Sequence, residues 1–113
     1  MRIAFDVMGT LKGPKGEFLI EVLKELKARD HECVVWSNSI GFASSAVRDY
    51  ALGVEYSDKR MKSDVEIDDW FDVAFEDDHS QTWLASRLLI FVDEVDNSRD
   101  VKEFVDSIEG LSL

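Results

Sequence analysis

Apolar residues recur along the chain with two periods, and the alternation of those periods predicts the elements. Ile3 to Val7 is a short apolar run, the pattern of a strand buried on both faces. Within residues 17 to 29, Phe18, Leu19, Val22, Leu23 and Leu26 fall on one face of a helix, and Glu21, Lys24, Glu25 and Lys27 fall outside it. Cys33 to Trp36 predicts a second strand. Phe42, Ala43, Ala46, Val47, Tyr50 and Ala51 repeat the helical stripe, in a helix that begins near Ile40 and is stopped by Gly53. Val54 to Tyr56 then reads as a short third strand, 62–70 as helical, Val73 to Phe75 as a fourth strand, and Ser80 to Ser86 as a short helix. Leu89 to Val92 predicts a fifth strand, and Val101, Phe104, Val105 and Ile108 a last amphipathic helix. Pro14, the one proline, stands beside Gly13 and Gly16 and marks a loop over about 8–16.

Strand and helix alternate, and the strands are apolar throughout. That pattern predicts an α/β fold: a three-layer, doubly wound sheet of about five parallel strands with both faces covered, in a single domain over residues 1–113. In such a sheet ligands gather at the carboxyl ends of the strands, near the point where strand order reverses.

Composition narrows the function classes. Hydrophobic residues make up 45% of the chain, enough for one core and too many for global disorder. The net charge of -11 repels phosphate backbones and argues against nucleic-acid binding. The same excess of carboxylate suits divalent cations, although solubility is its ordinary purpose. The single cysteine, Cys33, lies in an apolar run and reads as a buried core thiol. No apolar stretch approaches the roughly 20 residues of a membrane span, and the N-terminus lacks a signal-peptide layout. The expectation is a cytoplasmic protein without a membrane partner.

The chemistry lies in the polar residues that follow each apolar run. The first strand runs into Asp6-Val7-Met8-Gly9-Thr10-Leu11, the second ends in Ser37-Asn38, and the fourth ends in Glu76-Asp77-Asp78. Between the second and fourth lie Lys59, Arg60 and Lys62. In order and spacing these segments resemble the haloacid dehalogenase (HAD) superfamily over nearly the whole chain. Its first motif is an apolar strand followed by Asp-x-Asp-Gly-Thr-Leu, its second a strand ending in Ser or Thr, its third a Lys, and its fourth a strand ending in acidic residues.

The resemblance implies a HAD-like Rossmannoid domain that binds Mg²⁺ and a phosphate-bearing ligand, small molecule or macromolecule. Asp6 would be the nucleophile that attacks phosphorus. The cation would be held by the Asp6 carboxylate, the Met8 backbone carbonyl and Asp77, with Asp78 nearby. Ser37 and Asn38, just before a helix N-terminus, would bind phosphate oxygens. A lysine would clamp phosphate and Asp6 together. Lys62 is favoured because about fifteen residues separate it from Asp77, and Lys59 is the alternative.

Two departures from the pattern matter. The second Asp of the first motif, which in family phosphatases protonates the leaving group, is Met8 here, and a thioether cannot carry a proton. The expectation is a hydrolase or phosphotransferase with weak or atypical turnover, or else a non-catalytic binding or regulatory module on the same scaffold. The intervals on either side of Ser37 are also short. About 25 residues separate Leu11 from Ser37 and about 24 separate Ser37 from Lys62, so no cap domain fits. The site should be open, with room for a protein partner over it. His79 reads as a polar loop residue, His31 as exposed, and Trp36, Trp70 and Trp83 as packing residues. Asp93 and Glu94 read as a solvated turn.

Overall fold

The computed structural model describes residues 1–113 and contains one five-stranded sheet and three helices. The strands are β1 (Arg2–Phe5), β2 (Glu32–Ser37), β3 (Glu55–Asp58), β4 (Phe71–Glu76) and β5 (Ser86–Phe91), and the helices are α1 (Gly16–Ala28), α2 (Ile40–Asp49) and α3 (Val101–Glu109). Sheet order is β3-β2-β1-β4-β5, and every pairing is parallel. The chain leaves β1 toward β2 and β3, then returns past β1 to β4. Strand order therefore reverses between β1 and β4, and their carboxyl ends flank a crevice. The architecture is α/β and compatible with a Rossmann-like fold. No helix is long and apolar enough to cross a membrane.

Alternation along the strands makes two cores. Ile3, Phe5, Cys33, Val35, Val73 and Phe75 face one side, where Leu19, Val22, Leu23 and Leu26 of α1, Ala43 and Ala46 of α2, and Phe104, Val105 and Ile108 of α3 pack on them. Burial in this core pushes the Cys33 thiol up to about 12. Ala4, Val34, Trp36 and Ala74 face the other side, covered by Phe71 and Leu84 with Trp83 and Leu89 alongside. All three helices thus share one face, which corrects the expectation of helices on both. The opposite face is covered by irregular chain.

The reason lies in the two segments expected to be helical there. Residues 62–70 form two single 3₁₀ turns, Lys62–Asp64 and Ile67–Asp69. Val65, Ile67 and Trp70 do not supply the recurring third- and fourth-residue spacing that an amphipathic helix buries. In place of a helix over Ser80–Ser86, the chain runs beside residues 60–62. Lys62 N–H donates to the Trp83 carbonyl at 2.8 Å and Ala85 N–H to the Arg60 carbonyl at 2.9 Å. These backbone groups are satisfied across the two segments rather than along one.

The helix ends differ in detail from expectation. α2 ends at Asp49 and is closed by a turn at Ala51, before Gly53 is reached. Ala51 takes the left-handed conformation at φ 51°, its N–H donates to the Arg48 carbonyl at 3.1 Å, and Leu52 N–H donates to the Val47 carbonyl at 3.0 Å. That pair of bonds is a Schellman closure, and Asp30 at φ 66° makes the same one at the end of α1. His31 is half-buried rather than exposed, because its ring bridges the Met1 amine (3.0 Å) and Glu109 (2.7 Å).

Candidate functional site

The first strand pairs with β4 beyond its formal end, where Asp6 N–H donates to the Phe75 carbonyl at 3.1 Å. The chain then folds onto itself. Thr10 and Lys12 N–H groups donate to the Val7 carbonyl at 3.1 and 2.9 Å, and Leu11 N–H donates to that of Asp6 at 3.3 Å. This tight loop brings Thr10 Oγ1 to 3.1 Å from Asp6 Oδ2. Gly9, at φ 79°, lies against Asp77, and a Cβ there would stand 2.2 Å from Asp77 Oδ2. Only glycine allows the loop after β1 to approach the end of β4 so closely.

Asp6, Glu76 and Asp77 converge, with carboxylate oxygens within 4.8 Å of one another. Asp6 is 5% exposed and Glu76 is 1% exposed. One cation faces them: Lys59 Nζ lies 3.0 Å from Asp6 Oδ1 and 2.6 Å from Glu76 Oε1, and it donates to Gln81 Oε1 at 2.8 Å. The second Glu76 oxygen accepts the backbone N–H groups of Asp77 and Asp78, both at 3.1 Å. Two buried carboxylates with the exposed Asp77 beside them face one ammonium, which leaves an excess of negative charge partly out of water. The molecule relieves it with protons: burial above all, then the Asp77 side chain and the Glu76 charge, push Asp6 up to about 7 against the pull of Lys59. Burial raises Glu76 as well.

On the other side of the crevice, Ser37 ends β2 and is buried, and its Oγ accepts the Ser39 N–H at 3.1 Å. Ser39 caps α2 with extended backbone and no side-chain bond of its own. Ser39 and Phe42 line the crevice, so the start of α2 lies at it; Phe42 and Ala43 N–H donate to the Ser39 carbonyl at 3.0 and 3.3 Å, and the N–H groups before them have no partner within the helix. Asp6, Met8, Ser37, Asn38, Asp77 and Asp78 all line one open cavity of about 370 Å³, together with Lys59, Glu76 and Gln81.

The sequence-predicted site residues are thus brought to one place, with one exception. Lys62 lies outside the cavity, its Nζ 5.4 Å from the centre of the Trp70 ring. Lys59, the alternative, is the lysine at Asp6. The spacing argument fails because the chain after β3 turns away within three residues, so Lys59 alone remains at the carboxyl edge. Asp78 is peripheral: its Oδ1 accepts the Ser80 N–H and hydroxyl at 2.9 and 2.7 Å, and those bonds hold its carboxyl below the usual range.

Glu76 was not singled out from sequence and proves the most buried acid of the group. The signal was present, because the alternation of β4 puts residue 76 inside the sheet. His79 is exposed, with its ring stacked on Phe91 and its Nε2 2.8 Å from Asp93 Oδ1.

The donor set is oxygen-only and anionic, which fits a hard divalent cation such as Mg²⁺ better than a thiophilic one. A dication among Asp6, Glu76 and Asp77 would replace the protons that now relieve their repulsion. The cavity as a whole offers carboxylates bridged by the Lys59 ammonium at one wall and the Ser37 hydroxyl with the start of α2 at the other. Protein-family models, curated proteins and solved structures, each compared with this chain, give no match.

Proposed function

We propose that the chain is a HAD-like, capless domain that binds Mg²⁺ and a phosphate-bearing ligand in the crevice between β1 and β4. The observation that carries this reading is the partition of charge within one cavity. The carboxylates of buried Asp6 and Glu76 and of exposed Asp77 outnumber Lys59 and call for a cation, and Ser37 and the start of α2 suit an anion beside it. Mg²⁺ bound there would neutralise phosphate oxygens and so admit an anionic nucleophile.

In this reading Asp6 attacks phosphorus. Its carboxylate oxygen forms the new O–P bond, and the bond to the ester oxygen breaks. The leaving alkoxide takes its proton from solvent, because Met8 has none to give. Thr10 and Lys59 hold the two Asp6 oxygens and fix the carboxylate's orientation. Water then hydrolyses the aspartyl phosphate. Turnover is slow for esters with poor leaving groups and faster for activated ones.

A second reading has its own observation. Met8 is 52% exposed at the mouth of the cavity, and Phe42, another lining residue, is also exposed. An apolar rim and a missing acid/base suit a module that binds a phosphorylated partner and does not turn it over.

A Mg²⁺-dependent screen over phosphate esters and phosphonates separates the two. The enzyme reading expects hydrolysis that disappears in Asp6→Asn. The binding reading expects Mg²⁺-dependent retention of a phosphorylated ligand with no product. Neither activity nor retention in the presence of Mg²⁺ would remove both.

A further inference from the structure

The face of the sheet without helices holds a separate cavity of about 270 Å³, which shares no lining residue with the Asp6 crevice. Four of its residues are charged, and two of these satisfy each other. Arg2 Nε lies 2.7 Å from Glu32 Oε2, and Arg2 Nη1 donates to the Asp69 and Trp70 carbonyls at 3.1 and 3.4 Å. The other two, Arg60 and Glu55, are opposite in sign, and neither forms an ion pair. In a chain with 24 acidic side chains, a half-buried arginine that has found no carboxylate is an exception.

Its setting is built rather than loose. The Arg60 guanidinium carbon sits 5.5 Å from the centre of the Phe71 ring, and that ring meets Trp36 edge-on at 4.9 Å. The Arg60 carbonyl is pinned by Ala85 N–H at 2.9 Å. The guanidinium is thus held in place by stacking while its Nε is buried without an acceptor. Ser57 Oγ, on the same wall, is also buried without a partner, and so is Nε1 of Trp36, the register neighbour of Ser57 on β2. Buried donors that lack acceptors are costly, and a ligand that brings acceptors recovers that cost.

We propose that this cavity binds a small zwitterion of the α-amino acid class. Its carboxylate accepts from Arg60 and Ser57, its ammonium faces Glu55, and its side chain lies against Tyr56, the exposed apolar residue of the lining. Two considerations select this class. The carboxylates of Glu32 and Glu55 among the lining disfavour a phosphate dianion, whereas a ligand carrying both signs pairs Arg60 and Glu55 together. The volume lies just below the roughly 300 Å³ at which drug-sized pockets begin, which sets a ligand of few heavy atoms. The inference is independent of any phosphate chemistry in the crevice.

Titration calorimetry on the full chain tests it with L-leucine, with isocaproate, which lacks the ammonium, and with isoamylamine, which lacks the carboxylate. L-Leucine is expected to bind saturably at one site, and each truncated analogue about tenfold or more weaker. Arg60→Gln should weaken L-leucine by a similar factor. Glu55→Gln alters an exposed residue, places no burden on folding and should erase the preference for L-leucine over isocaproate. It carries the test alone should the Arg60 variant fail to fold. The Trp36 indole N–H resonance should shift on addition of L-leucine, which places the ligand at this face. No saturable heat with L-leucine overturns the proposal, as does binding that is indifferent to both substitutions.

Discussion

Lys59 is the only cation among three clustered carboxylates, so its removal has a signed and pH-dependent consequence. Lys59→Met leaves Asp6 and Glu76 buried without a counter-charge, and breaking a buried pair from one side costs about 3–5 kcal/mol. The loss should be near that size at pH 8 and smaller at pH 5, where protons replace the ammonium; urea denaturation at the two values measures it. Lys62→Met, over the Trp70 ring at the surface, should stay within about 0.5 kcal/mol. Equal losses for the two lysines would contradict the placement. Met8 offers the complementary test. If proton transfer is the one function missing, Met8→Asp should raise hydrolysis of phosphate esters, most for poor leaving groups. The upper scale is roughly 10²–10⁴-fold, and Asp6→Asn in the same chain should remove the gain. Much of this site was legible in the sequence, because a parallel sheet delivers the residues after β1, β2 and β4 to one edge, and their order needs no coordinates. The choice between Lys59 and Lys62 was not legible, since it depends on where the chain bends after β3. Glu76 was obscured by Asp77 and Asp78, a run of three acids in which only the strand's alternation distinguishes the buried one.

At the scale of elements, periodicity found strands and long helices and misjudged the short connections. α1, α2 and α3 each bury an apolar stripe against the same core, so their sequences carry a strong local signal. Residues 62–70 and 80–86 carry weak signals, and their backbone groups were settled by a partner distant in sequence, as the bonds between residues 60–62 and 83–85 show. No local pattern encodes that pairing. The end of α2 is a similar case. Gly53 is itself left-handed at φ 63°, yet the left-handed position that closes α2 is Ala51, two residues earlier, where a Cβ is strained. Ala51→Gly should therefore stabilise the fold despite glycine's larger entropy in the unfolded chain, by up to about 1 kcal/mol. Thermal and chemical denaturation should agree on the sign. A destabilised variant would mean that the closing turn is not left-handed at residue 51. The same substitution logic runs the other way at Gly9, where φ 79° and the Asp77 carboxylate leave no space, so Gly9→Ala should disturb both the loop and the site.

For the whole molecule, the net charge of -11 and the buried acid cluster act on stability through different routes, and Mg²⁺ can separate them. Diffuse repulsion among surface carboxylates is screened by any salt, with a Debye length of about 10 Å at 0.1 M ionic strength. Sodium chloride and magnesium chloride at equal ionic strength should thus raise the melting temperature by comparable amounts wherever only the surface matters. The cluster at Asp6 behaves otherwise. Its carboxyl is raised from 3.8 to about 7 in the folded chain, so between those values the native state holds a proton that the unfolded state has lost. The contribution of this group to stability is therefore greatest below pH 4, declines as pH rises toward 7, and is flat above. A dication bound by Asp6 and Asp77 must displace that proton. The extra stabilisation by Mg²⁺ over sodium should then be small at pH 5.5, grow through pH 7 and level off near pH 8, because a ligand that binds only the folded chain stabilises it in proportion to its occupancy. Asp77→Asn removes one ligand from the set and should cut the excess at pH 8 while leaving the sodium effect unchanged. Scanning calorimetry across this pH range gives both quantities in one series. An excess that is the same at pH 5.5 and pH 8, or that survives in Asp77→Asn, would put the cation on the acidic surface instead of in the crevice, and the metal-dependent reading of Asp6 would fall with it.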